Sequence, residues 1–284
     1  MNMRILFKKM AMLLCICVFL TGNAHVSFAD DLTLTEAFFT KPEGYSGWIN
    51  VPGKGLMRYY AQNDPLWAAL CYEREGTESR RPFRDSGCSP SAAAMAIYQT
   101  MGEEGIEKIG EYAKKDYSLC PCSLNQARCN KRHTRYYLTS HRDYERFLPL
   151  VLGDFATGNN IFGIYSRGEA AGTSVNYLKY VAEAYGLSLR ITADFDEACL
   201  AIQEGKGVIT LAGKGGAFTN TGHYVCLAHV DEEKIYVLDP LLREEYKTNY
   251  REKLTIIEPG LVTLSLEKMW AGSFGSYLIF EYPD

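Results

Sequence analysis

Between Pro90 and Met101 the chain reads Ser-Ala-Ala-Ala-Met-Ala-Ile-Tyr-Gln-Thr, a run of strong helix formers with no breaker until Gly102. A second helix is expected over 104–115. Val175, Leu178, Val181, Ala182 and Tyr185 recur at helical spacing, with Thr173 or Ser174 as the cap and Gly186 as the stop. Residues 195–204 predict a fourth, short helix ending at Gly205. The period then changes. Val208–Ala212, His223–Val230, Ile235–Asp239 and Ser276–Tyr282 are short runs rich in β-branched and apolar residues, divided by turn signals. Helices first and strands later predict an α+β fold with an antiparallel sheet. No internal repeat or low-complexity tract is visible. Residues 30–58, with Gly44, Gly47, Pro52, Gly53 and Gly55, read as an irregular lead-in to a domain over 59–284.

The amino terminus changes the picture. Arg4, Lys8 and Lys9 precede an apolar run over 10–20, and a more polar stretch ends Val26-Ser27-Phe28-Ala29. This is the layout of a secretory signal cleaved after Ala29, with an uncleaved signal-anchor as the alternative. Cleavage removes three basic residues and no acidic ones, leaving 27 Lys+Arg against 34 Asp+Glu, a net charge near −7. Such a chain is expected outside the cell, without stable membrane insertion and without nucleic acid as its partner.

Cleavage also reduces nine cysteines to seven: Cys71, Cys88, Cys120, Cys122, Cys129, Cys199 and Cys226. An odd number in an exported chain is consistent with one free thiol beside paired ones. Cys120, Cys122, Cys129 and His133 fall in a basic segment, 116–146, that reads as an insertion. Disulfides are the expected state of the cysteines other than Cys88, with free thiols or a zinc site left open.

Two motifs carry candidate chemistry. In Asp85-Ser86-Gly87-Cys88-Ser89-Pro90 the glycine allows a tight turn and Pro90 suits the first helical position, so Cys88 stands at a helix start, where N–H groups and the macrodipole favour a thiolate. A structural cysteine ahead of a helix fits the same residues. In Gly222-His223-Tyr224-Val225 followed by Leu238-Asp239-Pro240, a hairpin puts His223 and Asp239 side by side, the geometry of a base and the carboxylate that orients it. His229 shares the strand parity of His223 and is a second candidate base. Residues 213–222 are glycine-rich but lead into a strand, so they read as a loop over the cleft and not as a phosphate site. Trp67 and Trp270 read as core aromatics.

Cysteine, then histidine, then aspartate is the chain order of papain-like enzymes. Gly87-Cys88-x-Pro90-x-x-x-x-Met95 resembles the G-C-G-P-T-x-x-A-M motif of the bacterial branch containing bacteriocin-leader (double-glycine) peptidases and their secreted relatives. Gly222-His223-Tyr224-Val225 and Asp239-Pro240 are similar to its G-H-[FWY]-V and D-P elements, and Tyr60-Ala-Gln62-Asn-Asp64-Pro65-x-Trp67 to the Y-x-Q-x-D-x-x-W pattern. Ser89 and Ser91 replace the family's Gly and Thr. The resemblance covers roughly 59–100 and 205–240. It implies a papain-like fold, with a helical part carrying Cys88 as nucleophile against a sheet carrying His223 as base and Asp239 as orienter. It implies Gln62 as an oxyanion donor, although leader peptidases place that glutamine close before the cysteine. The implied activity is amide hydrolysis on a peptide or protein, cell-wall peptide included, with no metal or organic cofactor. Acyl transfer or cell-wall amidase activity on the same scaffold, and a non-catalytic peptide-binding domain, are the alternatives. The exported protein is expected to begin at Asp30; amino-terminal sequencing of protein from the medium checks this, and an intact Met1 there would refute cleavage.

Overall fold

The structure, a computed structural model, describes residues 45–68, 83–102, 105, 107–112, 145–149, 151–152, 175–213, 217–218, 222–241 and 254–283. All of them belong to one compact unit, Ala37–Asp284. The expected signal segment, most of the 116–146 insertion, Cys71, Cys120, Cys122, Cys129, His133 and the Thr173/Ser174 cap lie outside the described residues.

Strands β1 (Gly47–Val51) and β2 (Gly55–Tyr59) form an antiparallel hairpin. Over 47–58 this replaces the irregular lead-in expected over 30–58; residues 30–44 lie outside the described residues. The glycines and Pro52 that argued for irregularity are the turn: Lys54 N–H donates to Val51 O at 3.0 Å, and Gly53 and Gly55 take positive φ. Ile49, Val51, Met57 and Tyr59 are the buried alternates.

Helices α1 (Phe83–Ser86) and α2 (Cys88–Met101) follow, and residues 107–112 are helical inside the expected 104–115 segment. Next come α3 (Val175–Ala184), β3 (Ser188–Thr192), α4 (Phe195–Gln203), β4 (Gly207–Ala212), β5 (His223–Val230), β6 (Lys234–Leu238), β7 (Thr255–Glu258), β8 (Leu261–Ser265), α5 (Leu266–Gly272) and β9 (Ser273–Glu281). Strands β3 to β9 make a seven-stranded antiparallel sheet ordered β3-β9-β4-β5-β6-β8-β7. The α+β expectation holds. Strands β3, β7 and β8 and helix α5 are additional to the predicted set.

Two apolar layers sandwich the sheet. Ile209, Tyr224, Cys226, Ala228, Leu278 and Phe280 meet α2 and α3 on one face. Val208, Val225, Leu227, Val237 and Ile279 meet α4 and α5 on the other. Because both faces are covered, β4 and β5 are near-continuous apolar runs with little polar alternation. Trp67 is 1% exposed, as expected of a core aromatic, whereas Trp270 is 60% exposed on α5 and is not one. In the 213–222 loop, Ala217 and Phe218 are buried against the second layer, so part of that loop is anchored.

Helix α2 lies on β4 and β5 at unusually close range. An ideal Cβ on Gly207 would fall 2.0 Å from the Ala96 carbonyl oxygen, so only glycine fits. At the same end Thr100 Oγ1 donates to Phe280 O at 3.0 Å and accepts from Gly207 N–H at 2.8 Å. Gly207→Ala is expected to cost about 3 kcal/mol, because the neighbour is backbone and cannot step aside. Gly205→Ala, in open space with φ +86°, is expected to cost only about 1–2 kcal/mol of backbone strain. Urea unfolding of both variants decides; equal losses would mean close approach is not the constraint at Gly207.

Candidate active site

Cys88 is the first residue of α2. Gly87 before it is needed for space and not for φ, which is −83°: a Cβ there would lie 2.3 Å from the Phe83 ring. Pro90 occupies the third helical position, not the first as expected. It costs no hydrogen bond there, since first-turn N–H groups have no intrahelical partner. His223 opens β5, and Asp239 follows the last residue of β6. With Cys226 opposite Leu238, the two strand ends converge as the hairpin reading required.

His223 Nε2 lies 2.6 Å from Asp239 Oδ1, and both side chains are buried. The other ring nitrogen, Nδ1, is thereby left for Cys88, with which the ring shares a side-chain hydrogen bond. Burial opposes ionisation of the thiol. The hydrogen bond and charge of His223, with N–H groups of Tyr224 and Ser89, outweigh it, and the pKa is lowered. For His223, burial disfavours the imidazolium, but Asp239 and the Cys88 sulfur outweigh that penalty and raise its pKa. The site therefore favours a thiolate–imidazolium pair. Cys88 as a residue is half-buried, whereas Cys226 is fully buried.

Asp239 is wholly buried. Its Oδ1 also accepts the Leu241 N–H at 2.9 Å, a turn in which the side chain caps its own backbone two residues on. Its main-chain N–H donates to Gly260 O at 2.9 Å, and its carbonyl accepts from Tyr59 Oη at 2.9 Å. These holders were missed in the sequence. Leu241 was readable from Asp239-Pro240-Leu241 as a turn, but Tyr59 and Gly260 are distant in sequence and carry no local signal.

Gln62 is brought between the other two segments. Its main-chain N–H donates to Pro240 O at 2.7 Å, and its side-chain Nε2 donates to Arg84 O at 2.6 Å, in the turn ahead of Cys88. One amide proton is thus committed to holding that turn. The preceding segment is fixed by a buried cluster: Arg58 Nε lies 3.1 Å from Glu145 Oε1, and Tyr60 Oη donates to that oxygen at 2.8 Å.

His229 is not placed to serve. A register shift between Leu227 and His229 breaks the alternation on which the parity argument stood. Six residues along the strand put it about 20 Å from His223. Its ring stacks on Tyr236 at 5.8 Å and faces Gly53 at the tip of the β1–β2 hairpin. Cys199 and Cys226 are free thiols, which corrects the expectation that every cysteine but Cys88 is bridged. Cys226 points into the core, with Sγ 3.7 Å from Gln99 Oε1. Burial raises its pKa, and burial with Asp196 raises that of Cys199 to about 11.

A cysteine at a helix start, a histidine opening the adjacent strand and a buried aspartate on the next define a papain-like cysteine peptidase fold. The chain belongs to the Peptidase_C39-like family, whose model matches residues 56–258. The crystal structure of the peptidase domain of Streptococcus ComA, a bi-functional ABC transporter involved in a quorum sensing pathway, is similar at 12% identity and a TM-score of 0.32, covering 54% of this chain and 86% of that one. No curated protein matches the chain.

At mildly acidic pH, limited iodoacetamide treatment is expected to label Cys88 well before Cys199, with Cys226 labelled only on unfolding. The lowered Cys88 pKa supplies thiolate at a pH where an ordinary thiol has little, and the raised His223 pKa keeps the pair intact as pH rises. Peptide mapping by mass spectrometry checks the order; Cys199 reacting as fast as Cys88 would contradict it.

Proposed function

We propose that this chain is an exported cysteine hydrolase that cleaves an amide bond in a peptide or protein through Cys88, His223 and Asp239. The observation that carries the reading is the His223 ring held between the Cys88 thiol and the buried Asp239 carboxylate. The Cys88 thiolate attacks the carbonyl carbon, forming a C–S bond and placing negative charge on the oxygen. The Cys88 main-chain N–H, in the first turn of α2, is a candidate donor to that charge, and the second amide proton of Gln62 is its candidate companion. His223 passes its proton to the departing amine as the C–N bond breaks. It then takes a proton from water, which attacks the thioester and restores the thiolate. Asp239 keeps Nε2–H occupied, so that Nδ1 faces the sulfur throughout. The basic, apolar and small-residue layout of residues 1–29 supports export with cleavage after Ala29.

Cys88→Ala is expected to abolish both peptide hydrolysis and labelling by a thiol electrophile while leaving the circular dichroism spectrum intact. His223→Ala is expected to lower hydrolysis by about a thousandfold or more, since nucleophile and base act as a unit. Asp239→Asn is expected to be milder, because an amide can still hold the ring. Hydrolysis assays with the folded variants are the check, and His229→Ala matching His223→Ala in damage would overturn the assignment of the base.

A further inference from the structure

The geometry points to Tyr59 as a positioning residue that fixes Asp239 against His223, with Gly260 shaped to admit it. This rests on the reading of Cys88, His223 and Asp239 as the reacting set. Asp239 stands just beyond the last residue of β6, and its backbone is held by two segments distant in sequence. Tyr59, the last residue of β2, donates its buried hydroxyl to the Asp239 carbonyl at 2.9 Å. Gly260, in the β7–β8 turn, accepts the Asp239 N–H at 2.9 Å. The same Gly260 carries the Tyr59 ring: a Cβ built there would lie 2.3 Å from the ring's Cζ, and its φ is +93°. Ring, glycine and aspartate therefore form one closed contact linking the β1–β2 hairpin to the carboxylate.

Shifting the Asp239 backbone by a few tenths of an ångström would lengthen the 2.6 Å contact to His223. The imidazolium would lose stabilisation, and through it the thiolate. The ionisable groups bearing on His223 are Asp239 and Cys88, and those bearing on Cys88 are His223 and Tyr224, the last of which stays protonated with its pKa pushed up to about 12. Loosening Asp239 thus has two signed effects. The thiolate forms at higher pH, and the imidazolium is lost at lower pH.

The test is the pH dependence of Cys88 alkylation by iodoacetamide on the full chain, for wild type, Tyr59→Phe and Gly260→Ala. Wild type is expected to show a plateau of reactivity between an acid limb and an alkaline limb. In Tyr59→Phe, which keeps the ring but lacks the donor, both limbs are expected to move inward by about half a pH unit, a threefold change in each equilibrium. Gly260→Ala, which displaces the ring, is expected to do the same with a larger loss of stability. A tyrosine that merely supports the fold lowers the melting temperature and leaves the limbs in place. Unchanged limbs in either folded variant would overturn the role of Tyr59 alone. Absence of the plateau in wild type would overturn the reacting set, and this inference with it.

Discussion

The site depends first on how closely α2 lies on the sheet. Gly207 lets the Ala96 carbonyl sit where a side chain would stand, and Thr100 and Gln99 tie the far end of the helix to the β9, β4 and β5 backbones. Ala92, Ala93, Ala94 and Ala96 keep the helix thin enough for that approach. With its carboxyl end pinned, the helix start falls over the beginning of β5, the central strand of the sheet, and Cys88 meets His223 there. Small residues at the packing face thus set where Cys88 meets His223, about two helical turns away.

Closeness alone would be unfavourable for an ionising thiol. Burial opposes the charged forms of both Cys88 and His223; each supports the other's charge, with Asp239 adding to that of His223 and the Tyr224 and Ser89 N–H groups to that of Cys88. This makes the arrangement cooperative. Cys226, two strand positions from Tyr224, shows the contrast: fully buried and without a cationic neighbour, its thiol is pushed up by burial alone. Both the histidine partner and the partial exposure set Cys88 apart from it.

The parts legible in the sequence are those encoded locally. The α2 run, the β5–β6 hairpin and its His223–Asp239 pairing follow from propensity, strand alternation and turn residues within spans of a few tens of residues. The β1–β2 hairpin was misread because Pro52 and Gly53 signal a turn equally well inside a hairpin or an irregular stretch. Strand β3 is partly exposed on an edge and lacks an apolar face to betray it. The β7–β8 hairpin had a readable turn at Pro259-Gly260, but Thr255–Glu258 is short and half-exposed. Tyr59 on the Asp239 carbonyl spans 180 positions, a tertiary contact that no window of sequence contains.

The distribution of strain also has a direction. Gln62 Oε1, Ser89 Oγ, Ser91 Oγ and Asp239 Oδ2 are buried without a hydrogen-bond partner among the described residues, and all four belong to the segments that converge on Cys88. Each such atom costs about 1–3 kcal/mol relative to a satisfied one. A core selected for stability alone would replace them with apolar groups of the same shape, as the alanines farther along α2 already are. They concentrate at the start of that helix and beside the imidazole, next to the Cys88–His223 pair. Among the described residues both sheet faces are covered by apolar layers, so the buried polar atoms gather here and in the Arg58–Tyr60–Glu145 cluster beside it.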